Sequence, residues 1–89
     1  MYKQKFTNEF NKCLKRDSKR GLNIDLLEAV IDKLTVGKIL EPKYRDHALT
    51  GNYSGYRECH IKPDWLLIYY IEGDEIVFVK TGSHSDLFG

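Results

Sequence analysis

Seven consecutive apolar residues, Trp65-Leu66-Leu67-Ile68-Tyr69-Tyr70-Ile71, stand between two turn signals, Lys62-Pro63-Asp64 and Glu72-Gly73-Asp74. This run constrains the fold more than any other stretch. It is far shorter than the roughly 20 residues that span a bilayer, and it is apolar on both faces of an extended chain. Rich in aromatic and β-branched side chains, it predicts a central strand covered on both sides. Such a strand needs partners on both edges, and the flanking sequence supplies them. Tyr56 to Ile61 alternates, with Tyr56, Glu58 and His60 on one face and Arg57, Cys59 and Ile61 on the other. Glu75 to Thr81 returns after the tight Glu72-Gly73-Asp74 hairpin. Three strands joined by short turns form an antiparallel meander.

The first half reads differently. Tyr2 to Phe6 permits a short strand. From Thr7, a permissible N-cap, Phe6, Phe10 and Leu14 recur every four residues with Cys13 beside them, which predicts an amphipathic helix ending in the charged run Lys15 to Arg20 and Gly21. Asn23 caps a second helix, on which Leu26, Leu27, Val30, Ile31 and Leu34 form the apolar stripe. Gly37 stops it and Pro42 prevents continuation. Residues 43–55 carry loop chemistry, and residues 82–89 read as a short polar tail. The expected fold is α+β: a short N-terminal strand, a two-helix hairpin, then the meander, with the helices packed on one sheet face.

A chain of 89 residues allows one domain, spanning 1–89. Its N-terminus has no apolar segment of the secretory kind, and no run is long enough for a membrane, so a cytoplasmic location is expected. Cys13 and Cys59, without a signal, read as reduced thiols. The formal net charge is only +1. Residues 1–20 nevertheless hold seven Lys/Arg against Glu9 and Asp17. That segment suits either phosphate attraction or a solvated helix face.

The three histidines, His47, His60 and His84, all lie in the second half, each beside a different predicted strand. Imidazole titrates near neutral pH, and a meander brings neighbouring strands to about 5 Å. A metal site is not expected, since Cys59 and His60 point to opposite faces of one strand and no paired-ligand spacing occurs. Nor does the chain contain a G-x-S-x-G elbow or a phosphate-binding loop. Acid–base chemistry on a phosphodiester is what these residues suit. RNA carries its own nucleophile, the 2′-hydroxyl, so the protein needs a base, an acid and positive charge, and no cofactor. Three histidines can divide the proton work, Asp64 can orient one of them, and Arg57, Lys62 and Lys80 are available for the charge.

Three separated segments carry a family resemblance: Asp46-His47-Ala48-Leu49-Thr50-Gly51, the run Gly55 to Tyr69 that contains Tyr56-Arg57-Glu58-Cys59-His60 and Lys62-Pro63-Asp64-Trp65, and Thr81 to Phe88. In order and spacing they resemble the YafQ branch of the RelE/ParE-type toxins. The resemblance implies a microbial RNase fold and a type II toxin that cuts messenger RNA on the ribosome, neutralised by a cognate antitoxin. Operator DNA would be bound only as the toxin–antitoxin complex. It also implies catalytic roles for His47, His60, His84 and Asp64. We expect His84 to be the general acid, His47 or His60 the base, Arg57 and Lys62 the stabilisers of the phosphorane, and Phe88 a stacking platform for a base. Trp65 reads equally as core packing or as an RNA contact. The competing reading is a ParE-like binder on the same fold that poisons its target without cutting RNA.

Overall fold

The apolar run becomes the middle of a five-stranded sheet. The computed structural model describes residues 1–89, ordered as β1 (Lys3–Phe6), α1 (Asn8–Lys19), α2 (Ile24–Thr35), β2 (His47–Ala48), β3 (Arg57–Lys62), β4 (Trp65–Glu72), β5 (Glu75–Gly82) and α3 (His84–Phe88). The sheet order is β1-β5-β4-β3-β2, antiparallel except for β1, which runs parallel to β5. The expected meander is β3-β4-β5, and each of its outer strands gains a neighbour. No helix is long and apolar enough to cross a membrane.

Both long helices begin where the sequence provides an oxygen to cap them. The Thr7 hydroxyl accepts from the Phe10 N–H at 2.9 Å and donates to the Val79 carbonyl at 2.6 Å, fixing α1 to β5 at its first turn. Asn23 caps α2 by accepting from the Asp25 N–H. Their apolar stripes, Phe10 and Leu14 from α1 and Leu27, Val30, Ile31 and Leu34 from α2, pack on the sheet face that presents Cys59, Ile61, Trp65, Leu67, Tyr69, Ile76 and Phe78. Leu26, the first residue of the expected stripe, is instead partly exposed. Truncating a buried leucine such as Leu27 or Leu67 to alanine costs about 2–5 kcal/mol. Both cysteines are free and buried, and burial pushes the Cys59 thiol far above its usual range.

The tail is where the structure departs most from the sequence reading. Residues 84–88 form a helix rather than a polar extension. Ser83 and Asp86 make a reciprocal capping box, and Leu87 plugs into Leu66 and Ile68 on the sheet face opposite the long helices. Arg20 grips Asp86 with both guanidinium nitrogens, at 2.7 and 3.2 Å, and Arg16 donates to the Thr81 carbonyl at 2.7 Å. Glycine at position 82 makes this possible. A Cβ there would lie 2.4 Å from Arg16 Nη2, and φ is +154°. The N-terminal basic excess is thus partly spent on folding, because Lys3, Lys5, Arg16 and Arg20 all pair with carboxylates of this chain.

Candidate active site

The short strand β2, where the sequence predicts loop, sets His47 directly across from Glu58 of β3. One step further along β3, His60 projects from the same face as Glu58. His84 opens α3 just after β5. The three rings therefore stand in a row, with centroids 6.4 Å apart for His47–His60 and 6.0 Å for His60–His84. All of this lies on the sheet face away from α1 and α2.

Each imidazole has its Nδ1 held. That of His47 donates to the Arg45 carbonyl, and that of His60 to the Pro63 carbonyl at 3.2 Å. The His84 Nδ1 lies 2.8 Å from Asp64 Oδ1, which also accepts from the His84 backbone N–H at 2.9 Å. A carbonyl or carboxylate oxygen only accepts, so Nδ1 carries the hydrogen in all three rings and Nε2 is left for chemistry. These two hydrogen bonds from His84, the backbone one first, hold the Asp64 carboxyl below its usual range.

Glu58 was not among the expected site residues, although the alternation of β3 had put it on the face of His60. Its Oε1 is 3.6 Å from His47 Nε2 and 3.5 Å from His60 Nε2, and the residue is only 5% exposed. With both Nδ1 atoms already donating, neutral rings would turn two lone pairs toward the carboxylate. A proton on one Nε2, or on the carboxyl, makes the contact attractive. Such an arrangement can share one proton among the three groups.

Beyond His84 the row ends in aromatic rings. Phe88, 44% exposed, lies 6.4 Å from His84 and 5.3 Å from Tyr53. Lys80 Nζ lies 3.3 Å from the Tyr53 hydroxyl and 6.0 Å from the Phe88 ring. Lys80 reaches this face because the β4–β5 register shifts between Ile68 and Tyr69. Val79 and Lys80 then both serve the open side, while Phe78 and Thr81 stay in the core.

Two expected RNA contacts are not brought to the row. Trp65 is 3% exposed and its indole N–H donates to Thr81 Oγ1, so it belongs to the core. The strand buries its first residue as well as its middle. Arg57 sits on the opposite sheet face from His60, as strict alternation requires, 3.4 Å from Asp46, whose other contact is the Tyr69 hydroxyl at 2.7 Å. Lys62 is exposed beside His60, where Lys43 and Arg45 join it around one depression. No group of three or more His, Cys, Asp or Glu side chains stands so as to hold a metal ion.

Comparison with known proteins agrees with this architecture. Residues 2–89 match the family model described as bacterial toxin of type II toxin-antitoxin system, YafQ. The chain is 34% identical over 85 residues to the mRNA interferase toxin YafQ of Escherichia coli K12, covering 94% of this chain and 92% of that protein. A copper-bound mutant toxin from Helicobacter pylori superposes with a TM-score of 0.95 at 39% identity, over 99% of this chain and all of that one. In the E. coli DinJ-YafQ complex, the matching chain superposes with a TM-score of 0.92 at 32% identity, each chain fully covered. With the match running nearly end to end in both sequence and fold, the chain belongs to the YafQ family of bacterial type II toxin–antitoxin toxins.

Proposed function

We propose that this toxin is a ribosome-dependent endoribonuclease that cuts messenger RNA through its histidine row, and that a DinJ-like antitoxin silences it. The observation that carries the reading is the common anchoring of the three rings by Nδ1, which leaves the His84 Nε2 free and turns those of His47 and His60 to one shared carboxylate, Glu58. The likeness to E. coli YafQ, named an mRNA interferase toxin and seen in complex with DinJ, supports the substrate and the partner.

The reaction needs no outside nucleophile. His60 or His47 takes the proton of a 2′-hydroxyl on Nε2, the atom that Glu58 Oε1 approaches and whose new positive charge it offsets, and the freed 2′-oxygen attacks the adjacent phosphorus. Lys80 and a protonated ring of the row offset the charge of the phosphorane. The bond to the 5′-oxygen breaks as His84 Nε2 protonates it, leaving a 2′,3′-cyclic phosphate and a 5′-hydroxyl. Asp64 plays toward His84 the part that a buried aspartate plays in a Ser-His-Asp triad: it holds the tautomer and stabilises the imidazolium. Since RNA and side chains supply every reacting group, protein stripped of metal and returned to chelator-free buffer is expected to cut as well as untreated protein.

Induction in cells followed by 5′-end mapping should show cuts at a constant position within codons. A message with 2′-deoxyribose at the scissile nucleotide should resist. Intact messages during growth arrest, or normal cutting of the deoxy substrate, would overturn the reading.

A further inference from the structure

The histidine row is flanked by two chemically different surfaces. Past His84 stand Phe88 and Tyr53. Beside His60 lies a depression of about 590 Å³ whose lining includes Lys43, Arg45 and Lys62 and no acidic residue. None of these three cations has an ion-pair partner, whereas Arg16, Arg20 and Arg57 are all paired within the chain. Three unpaired like charges around one hollow repel one another, in a molecule whose net charge is only +1. An anion seated among them relieves that repulsion.

Arg45 ties the hollow to the site. It is the one non-glycine residue with positive φ, at φ 48° and ψ 42°. Left-handed backbone in such a residue is disfavoured and persists where surrounding contacts demand it. Here the same residue turns its carbonyl to the His47 Nδ1 and lines the hollow. Tyr44, whose ring centroid is 5.2 Å from Lys43 Nζ, adds an aromatic wall.

We propose that Lys43, Arg45 and Lys62 form a subsite for the RNA phosphate immediately upstream of the scissile linkage. The inference rests on the nuclease reading and adds a direction to it. With His84 protonating the 5′-oxygen, the nucleotide after the cut lies toward Phe88. The strand before the cut then runs past His60 into the basic hollow. Phosphate contacts of this kind set register without reading bases.

The test uses ribosome-bound message carrying one uncharged methylphosphonate linkage, placed either one step upstream or one step downstream of the cut. Wild-type protein is compared with Lys43→Gln/Arg45→Asn/Lys62→Gln, asparagine being chosen because it tolerates left-handed backbone. Wild type should lose about tenfold or more in kcat/KM on the upstream-modified message, the scale of a lost charge-assisted contact. The triple variant should already be slowed by a similar factor on natural message and lose nothing further from the upstream change. The downstream change should slow both proteins equally. Multiplying effects of the variant and the upstream linkage, or wild-type cutting by the variant, would overturn the subsite. A variant that cuts normally but escapes its antitoxin would show that the hollow docks the antitoxin instead. Should the triple variant misfold by circular dichroism, Lys43→Gln/Lys62→Gln is read by the same criteria. Failure of wild type to cut any message sinks the nuclease reading itself, an outcome distinct from a wild type that cuts but ignores the upstream charge.

Discussion

Asp64 Oδ1 accepts two hydrogen bonds from His84, one from the ring Nδ1 at 2.8 Å and one from the backbone N–H at 2.9 Å. The turn between β3 and β4 is thereby bound to the first residue of α3, and the ring is held with Nε2 free. Replacing His84 by alanine should lower cutting about 10²–10⁴-fold, the usual worth of a general acid. Asp64→Asn should fall between that variant and wild type, since an amide oxygen can orient the ring but stabilises its cation less. Single-turnover cleavage with both variants checks this. An Asp64→Asn protein as inactive as His84→Ala would show that the ring needs the carboxylate's charge, and not only an accepting oxygen, to act as the acid.

Glu58 gives a prediction of opposite sign for binding and chemistry. Its carboxylate faces two imidazoles and not the expected phosphate. Glu58→Gln should therefore slow the chemical step by about tenfold or more while leaving RNA affinity unchanged or tighter, because a negative charge beside an anion has been removed. Measured kcat and KM separate the two. Weakened binding at unchanged kcat would mean that Glu58 acts on the substrate and not on the rings.

The Arg20–Asp86 pair makes stability at low pH testable. Hydrogen bonds from Arg20, then from the Ser83 backbone, hold the Asp86 carboxyl well below its ordinary value of 3.8. A carboxyl with a depressed folded pKa stabilises the fold fully above its unfolded pKa, and that contribution disappears as pH falls toward the folded value. The stability gap between wild type and Asp86→Asn in urea unfolding should thus be constant from about pH 8 to 5 and narrow only below about pH 4. A gap that already closes between pH 8 and 5 would remove the ionised pair as its source.

Phe88 should act through substrate and not through the fold. It is 44% exposed, while its neighbour Leu87 is buried. Phe88→Ala should weaken the interaction with RNA by about 1–3 kcal/mol, one lost base stack, with little change in melting temperature. Leu87→Ala should do the reverse, lowering melting temperature by loosening α3. A Phe88→Ala protein of wild-type activity would leave Phe88 with no part in RNA binding.

What the chain determined by itself was its periodicity and its chemistry. An apolar run of seven residues between two turns is too short for a buried helix and rich in aromatic side chains, so a central strand was legible, and Trp65 to Tyr69 are indeed buried on both faces. Thr7 and Asn23 start helices through hydrogen bonds to N–H groups two or three residues away, so those starts were legible. So was the separation of Arg57 from His60, which follows from the period of two. The three segments that hold His47, then His60 and Asp64, then His84 carried the family resemblance. Tertiary structure decided what depends on partners distant in sequence. β2 is two residues long and exists as a strand only because β3 lies beside it. The polar tail folds into α3 because Leu87 finds Leu66 and Ile68, and Arg20 finds Asp86 at a separation of 66 residues. Lys80 reaches the histidine face through a register shift that alternation along β5 would deny. Glu58 became a site residue only when His47 was set across from it, since a carboxylate takes its role from the groups that other strands bring within reach.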